Sequence, residues 1–128
     1  MKKVRWELEE AVALFDAYVK NGKRLGVPKN VLESLNRIYN RRAQVLGLDV
    51  DEKFRNIAGL NMQLAGIHYV VTNGEEGLAN AGKIFYEVND LYEHAQEQYE
   101  KVLEAFYEKY GCQYCFCRGD SVMDIRQM

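Results

Sequence analysis

Cys112, Cys115 and Cys117 form a C-x-x-C-x-C cluster late in a chain of 128 residues, a spacing at which thiolates can share a metal ion. Zinc takes four ligands, usually thiolates and imidazoles in a tetrahedron. Three cysteines leave one ligand to find, and the only histidines are His68 and His94. The alternative is a C-terminal segment whose Cys115 and Cys117 pack inward as small apolar side chains. Gly77-Leu-Ala-Asn-Ala-Gly82-Lys83 has the spacing of a phosphate-binding loop, where backbone N–H groups and a lysine hold phosphates and a following Ser or Thr binds magnesium. Ile84 occupies the hydroxyl position, and the pattern supplies none of the buried parallel strands such a domain requires. The segment therefore reads as a loop and helix start. His68 and His94 have no nucleophile at a recognisable spacing, and neither an H-E-x-x-H pair nor a nucleophile elbow is present. These observations predict a protein without catalytic activity and without a cofactor, zinc on the three cysteines being the alternative.

The strongest chemical pattern is electrostatic. Glu87, Asp90, Glu93, Glu97, Glu100, Glu104 and Glu108 step by three or four residues, which on one helix confines them to a sector of roughly 140°. Ile84, Val88, Leu91, Ala95, Tyr99, Val102 and Phe106 form the opposing apolar stripe. Only Lys101 is placed to relieve the row, and like charges at i,i+4 cost a few tenths of a kcal/mol each. Successive carboxylates lie roughly 5 Å apart along such a helix, comparable to the phosphates of a nucleic-acid strand. The row is read either as a solvated helix face or as a surface that a basic nucleic-acid channel accepts in place of its own ligand. Tyr86, Tyr92, Tyr99, Tyr107 and Tyr110 sit on the same helix, some at the border of the two faces. They suit either core-edge packing or an interface, because one end of a tyrosine is apolar and the other polar. Tyr92 and Tyr99 are the ones assigned to the interface.

The net charge of −2 conceals a division along the chain: residues 1–50 carry ten Lys/Arg against six Asp/Glu, and residues 51–128 seven against thirteen. Arg37, Arg41 and Arg42 make the densest basic patch. With 48% apolar and 28% charged residues, the composition is that of a single globular domain. The expectation is one domain over 1–128, with a helical core at 6–110 and a cysteine-bearing tail at 111–128. No apolar run approaches the roughly 20 residues of a membrane span, so no membrane partner is expected. The basic N-terminus has no apolar stretch behind it, and three clustered cysteines do not make a secreted disulfide framework. A cytoplasmic location is expected.

Periodicity places these groups on helices. One helix is predicted from Trp6 to about Asn21, with Leu8, Val12, Phe15 and Val19 inward and Gly22 at its stop. A second follows Pro28 and runs to Leu46, with Val31, Leu35, Ile38 and Val45 inward and the three arginines outward. A third spans Asp51 to Val71, where Gly59 and Gly66 suggest close approach of another backbone, and residues 67–72 have a short strand as alternative. The fourth, from Ala81 to Tyr110, would be roughly 45 Å long. The fold class is all-α, about four helices with a long amphipathic C-terminal helix and a short β segment near 68–72 or 113–117 as the variant.

Phe54-Arg55-Asn56, Gly59, Met62 and Leu64, then Gly77-Leu78, Gly82-Lys83 and Glu87-Val88, resemble an N-terminal module of bacterial HNH-type restriction endonucleases, whose pattern runs F-R-N-x-x-G-x-x-M-x-L, then G-L, G-K and E-V-W. Trp6-Glu7 and the stretch from Ala11 to Ala17 are similar to that module's first helix, so the resemblance covers about residues 6–105. Asn89 stands where the module has tryptophan, and the HNH nuclease domain is absent from these 128 residues. The resemblance implies a helical, non-catalytic module associated with DNA restriction, with Arg55, Asn56 and Lys83 as the matching polar positions. One functional expectation is an anti-CRISPR-like inhibitor that sets its acidic, tyrosine-bearing helix against a basic channel of a Cas9-type nuclease. The alternative is direct DNA binding through Arg37, Arg41, Arg42, Arg55, Asn56 and Lys83, against which a pI near 5.7 argues. A homodimerising helical bundle is the third reading.

Overall fold

The structure is a computed structural model and describes residues 4–111. Five helices follow one another: α1 (Leu8–Lys20), α2 (Lys29–Leu46), α3 (Ile57–Val71), α4 (Lys83–His94) and α5 (Gln96–Tyr110). The described residues contain no strand, and 67–71 are the last turn and a half of α3. The predicted cysteine segment and its β variant at 113–117 lie outside the described residues.

The helices are arranged around α1. It packs against each of the other four, and these close a ring in which α2 meets α3, α3 meets α4, α4 meets α5 and α5 returns to α2. A helix enclosed this way must be apolar on every side. Ala11, Val12, Ala13, Leu14 and Phe15 are consecutive and all buried. The expected single inward stripe on α1 is thus replaced by burial all round, and the signal was the unbroken Ala-Val-Ala-Leu-Phe run itself.

Local chemistry sets the helix ends. Glu7 and Glu10 form a capping box on α1, satisfying two N–H groups that an α-helix leaves unpaired. Gly22 at φ +78° ends the turn after α1, and Gly47 at φ +69° ends α2. Asn56 Oδ1 accepts from Gly59 N at 2.8 Å and starts α3. The close approach expected on α3 occurs at Gly66, where an added Cβ would stand 3.2 Å from Ala81 Cα. Gly59 instead faces its own cap.

The long C-terminal helix is corrected to two. Ala95 leaves helical geometry at φ −143° and ψ 56°, between α4 and α5. In a straight helix residues 92 and 99 would be separated by roughly 10 Å along the axis. Here the Tyr92 and Tyr99 rings are 5.2 Å apart, and both lie against Phe15 of α1, at 5.5 and 6.2 Å. The break lets both rings reach the same central side chain.

Candidate functional site

Two charged regions bear on function, one internal and one exposed. The internal one is built on Glu10, a fully buried carboxylate in the first turn of α1. Arg55 forks onto it, Nε donating to Oε2 at 3.1 Å and Nη2 to Oε1 at 3.0 Å. The Glu7 backbone N–H donates to Glu10 Oε1 at 3.2 Å, and Arg42 Nη1 lies 3.6 Å away. Tyr39 Oη, on α2, donates to the Glu10 carbonyl at 2.7 Å. Arg42 also holds Glu7 and Glu9, and Lys109 near the end of α5 reaches Glu9 at 3.1 Å. One end of α1 is thereby tied to α2, to the 51–56 turn and to α5.

Arg55 is a cation between two rings, 4.1 Å from the Trp6 centroid and 4.5 Å from that of Phe54. Its own backbone sits at φ +51°, an unfavourable region for a residue with a side chain. Asn36 Nδ2 holds that turn by donating to the Phe54 and Arg55 carbonyls at 3.1 and 2.8 Å. Phe54, Arg55 and Asn56 therefore serve as core side chain, buried counterion and helix cap.

Burial of Glu9 by itself raises its pKa, but hydrogen bonds and charges from Arg42 and Lys109 outweigh it and leave the carboxyl below its ordinary value. Burial and then the Glu10 charge hold the Tyr39 phenol well above its ordinary range. Burial followed by Asp16 does the same for Tyr99, whose hydroxyl donates to Asp16 Oδ1 at 3.2 Å.

The residues of the acidic row are all exposed, Glu87, Asp90 and Glu93 on α4 and Glu97, Glu100, Glu104 and Glu108 on α5. Because the helix breaks at Ala95, they form two rows on differently directed helices. On α5 the four carboxylates fall within about 80° and rise about 5 Å at each step. Among the described residues no ion pair engages Glu97, Glu100 or Glu104; Lys109 is drawn to Glu9, and Asp90 pairs with His94 at 3.0 Å.

Tyr99 is buried, bonded to Asp16 and packed on Phe15 and Tyr92, so it is a core residue rather than an interface one. Tyr92 is half-buried beneath the Lys23 ammonium, 5.1 Å from its ring. Exposed tyrosine on these helices is found instead at Tyr86 and Tyr107.

The six positions expected to contact DNA, five of them basic, also divide. Arg42 is turned inward, correcting its expected place on the outer side of α2, while Val45, expected inward, is 60% exposed. Arg42, Arg55 and Asn56 are spent on internal partners. Lys83 is exposed at the start of α4, whereas Arg37 and Arg41 border a groove on α2. Gly77 lies against α3, and Leu78 N donates to Ala65 O at 3.1 Å, so that amide of the 77–83 loop faces the protein. His68 Nδ1 lies 2.7 Å from Tyr18 Oη and Nε2 lies 2.8 Å from Glu76 Oε1, linking α1, α3 and the loop after it. With the proton on Nε2, Tyr18 donates to His68 and His68 donates to the carboxylate.

Among the described residues no group of His, Cys, Asp and Glu has a metal-binding arrangement, and Cys112, Cys115 and Cys117 lie outside them. Nor is any described helix long and apolar enough to cross a membrane. The chain matches no protein-family model, no curated protein and no solved structure.

Proposed function

We propose that the chain is a non-catalytic binding module that sets its acidic α5 face against a basic surface of a protein partner. The partner class is a nucleic-acid-handling nuclease, and the mode is that of an anti-CRISPR-like inhibitor lying in a Cas9-type channel. One observation carries the reading: Glu97, Glu100 and Glu104 are exposed at phosphate-like steps and have no ion pair among the described residues. The carboxylates of Glu7, Glu9 and Glu10 at the start of α1, by contrast, are all ion-paired within the chain. A row of like charges costs helix stability, and a complementary surface offsets that cost on binding. The resemblance to the restriction-endonuclease module supports the same setting, DNA-restricting systems, without a catalytic role for this chain.

The test titrates the chain into guide-loaded Cas9-type nucleases and follows target-DNA binding by anisotropy. The reading expects DNA binding to fall as the chain is added, more strongly at low salt. Glu97→Lys, Glu100→Lys and Glu104→Lys together should remove the effect while helical circular dichroism stays unchanged. Inhibition that survives the triple reversal, or no inhibition of any basic-channel nuclease, overturns it.

A further inference from the structure

Along the outer side of α2, the residues after α2 leave a groove of about 510 Å³ bordered by Arg37, Asn40, Arg41, Gln44, Leu48 and Val50. Arg37, Arg41 and Gln44 follow one another at steps of four and three, so three donor side chains share one helical face. No carboxylate lines the groove. Although carboxylates outnumber cations in the chain, neither arginine has an ion-pair partner among the described residues. Arg37 Nη2 meets only Ser34 Oγ, at 3.2 Å. Arg41 Nε is buried without a hydrogen bond, and no other buried side-chain nitrogen or oxygen among the described residues is left in that state. Arg42, one position along, holds several carboxylates instead.

The groove is also rigid. Asn40 Nδ2 donates to Asn36 O at 2.8 Å, and Asn36 Nδ2 donates to the 54–55 carbonyls, so both amides are committed to the wall. The rest of the lining is the two guanidinium side chains, the Gln44 amide and the apolar Leu48 and Val50.

We infer that the α2 groove between Arg37 and Arg41 is a phosphate-binding site. A guanidinium fork matches two oxygens of a phosphate, and two forks one helical turn apart can hold one group from both sides. A phosphate in the groove meets guanidinium charge that no ion pair of the described residues neutralises, and Gln44 adds a neutral N–H donor on the same helical face. The phosphate belongs either to a free small anion or to the phosphodiester of a nucleic-acid strand, both presenting the same oxygens. This inference is independent of the acidic α5 face, which points elsewhere and does not line the groove.

The test uses the full chain at low ionic strength. Arginine Nε–H resonances are followed by NMR as inorganic phosphate is added, and a fluorescein-labelled single-stranded oligothymidylate is followed by anisotropy. The site predicts saturable shifts of the arginine Nε–H resonances of the groove, that of the exposed Arg37 foremost. Arg37→Gln, on an exposed side chain, should weaken binding about tenfold, the size of a lost charge-assisted hydrogen bond. Arg41→Gln should do at least the same, and Arg24→Gln, outside the groove, should leave it unchanged. Oligonucleotide binding that inorganic phosphate displaces assigns the phosphodiester; a response to phosphate alone assigns the free anion; both support the site. No response to either probe, or a response that neither groove variant diminishes, overturns it.

Discussion

Arg55 grips Glu10 with two hydrogen bonds across 45 positions of sequence, closing a buried ion pair between the 51–56 turn and the first turn of α1. Its energetic meaning lies in what a broken pair leaves behind, because an uncompensated charge inside a protein is expensive. Glu10→Ala should lower unfolding stability by about 3–5 kcal/mol, read as a lower urea midpoint with an unchanged slope. A loss below about 1 kcal/mol, the scale of a surface pair, would show that water replaces the carboxylate.

Gly77 and Gly82 share a glycine-rich loop yet should respond oppositely to alanine. Gly77 has φ +93°, and an added Cβ would lie 2.4 Å from Ala65 O and 2.7 Å from Tyr69 N. Gly77→Ala should cost about 2–3 kcal/mol through backbone strain and displacement of the loop from α3. Gly82, at φ −72° with no atom within 4 Å of an added Cβ, should tolerate alanine at under about 1 kcal/mol, the scale of a weaker N-cap. Thermal melts of the two variants compare them directly.

Acid should loosen the α1–α2–α5 end first. Glu9 has a folded pKa below its ordinary 4.5, so its contribution is complete above that value and is lost as pH falls through the depressed folded one. The Glu9→Gln variant should therefore differ from the parent in urea stability at neutral pH and converge with it in acid. A constant difference across that range would show that the pairing with Arg42 and Lys109 has no role.

Alkaline titration should report on the buried tyrosines. Tyr39 and Tyr99 both have raised pKa values, so the native state keeps their protons after an unfolded chain, with its ordinary value of 10, has released them. Stability should fall as pH rises above 10, and phenolate absorbance from these two rings should appear together with unfolding.

Charge reversal on α5 tests the cost of its acidic face apart from any partner. Glu100 has Glu97 and Glu104 one turn to either side on the same face. Glu100→Lys should leave the melting temperature equal or slightly higher at low salt, with the difference vanishing at high salt. A substantial loss of stability would mean that Glu100 has a structural partner.

Much of the local architecture is legible residue by residue. Pro28 and Gly47 bracket α2, Gly22 follows α1, and the apolar spacing marks α3 despite its two glycines at 59 and 66. The exposure of the seven carboxylates follows from the same periodicity. Arg42 reads outward by spacing but faces inward because Glu7 and Glu9 arrive from another helix. Tyr99 belongs to the apolar stripe by spacing and is also an interface candidate; Asp16 and Phe15 enclose it and leave only the first of these.

The sequence by itself determined the helical class, the ends of α1 and α2 to within a residue or two and the separation of basic from acidic segments, since these depend on groups a few positions apart. The third helix, expected from Asp51, starts only at Ile57, after the 51–56 turn that Asn36 and Arg55 hold. Tertiary structure alone decided the break at Ala95, the enclosure of α1 and the union of Glu10 with Arg55. No proline or glycine marks residues 93–97, and across the break Tyr92 and Tyr99 both lie against Phe15 of α1, a contact between segments far apart in sequence. Likewise, Glu10 and Arg55 are ordinary charged residues until folding brings them within hydrogen-bond range, and burial then strengthens their attraction.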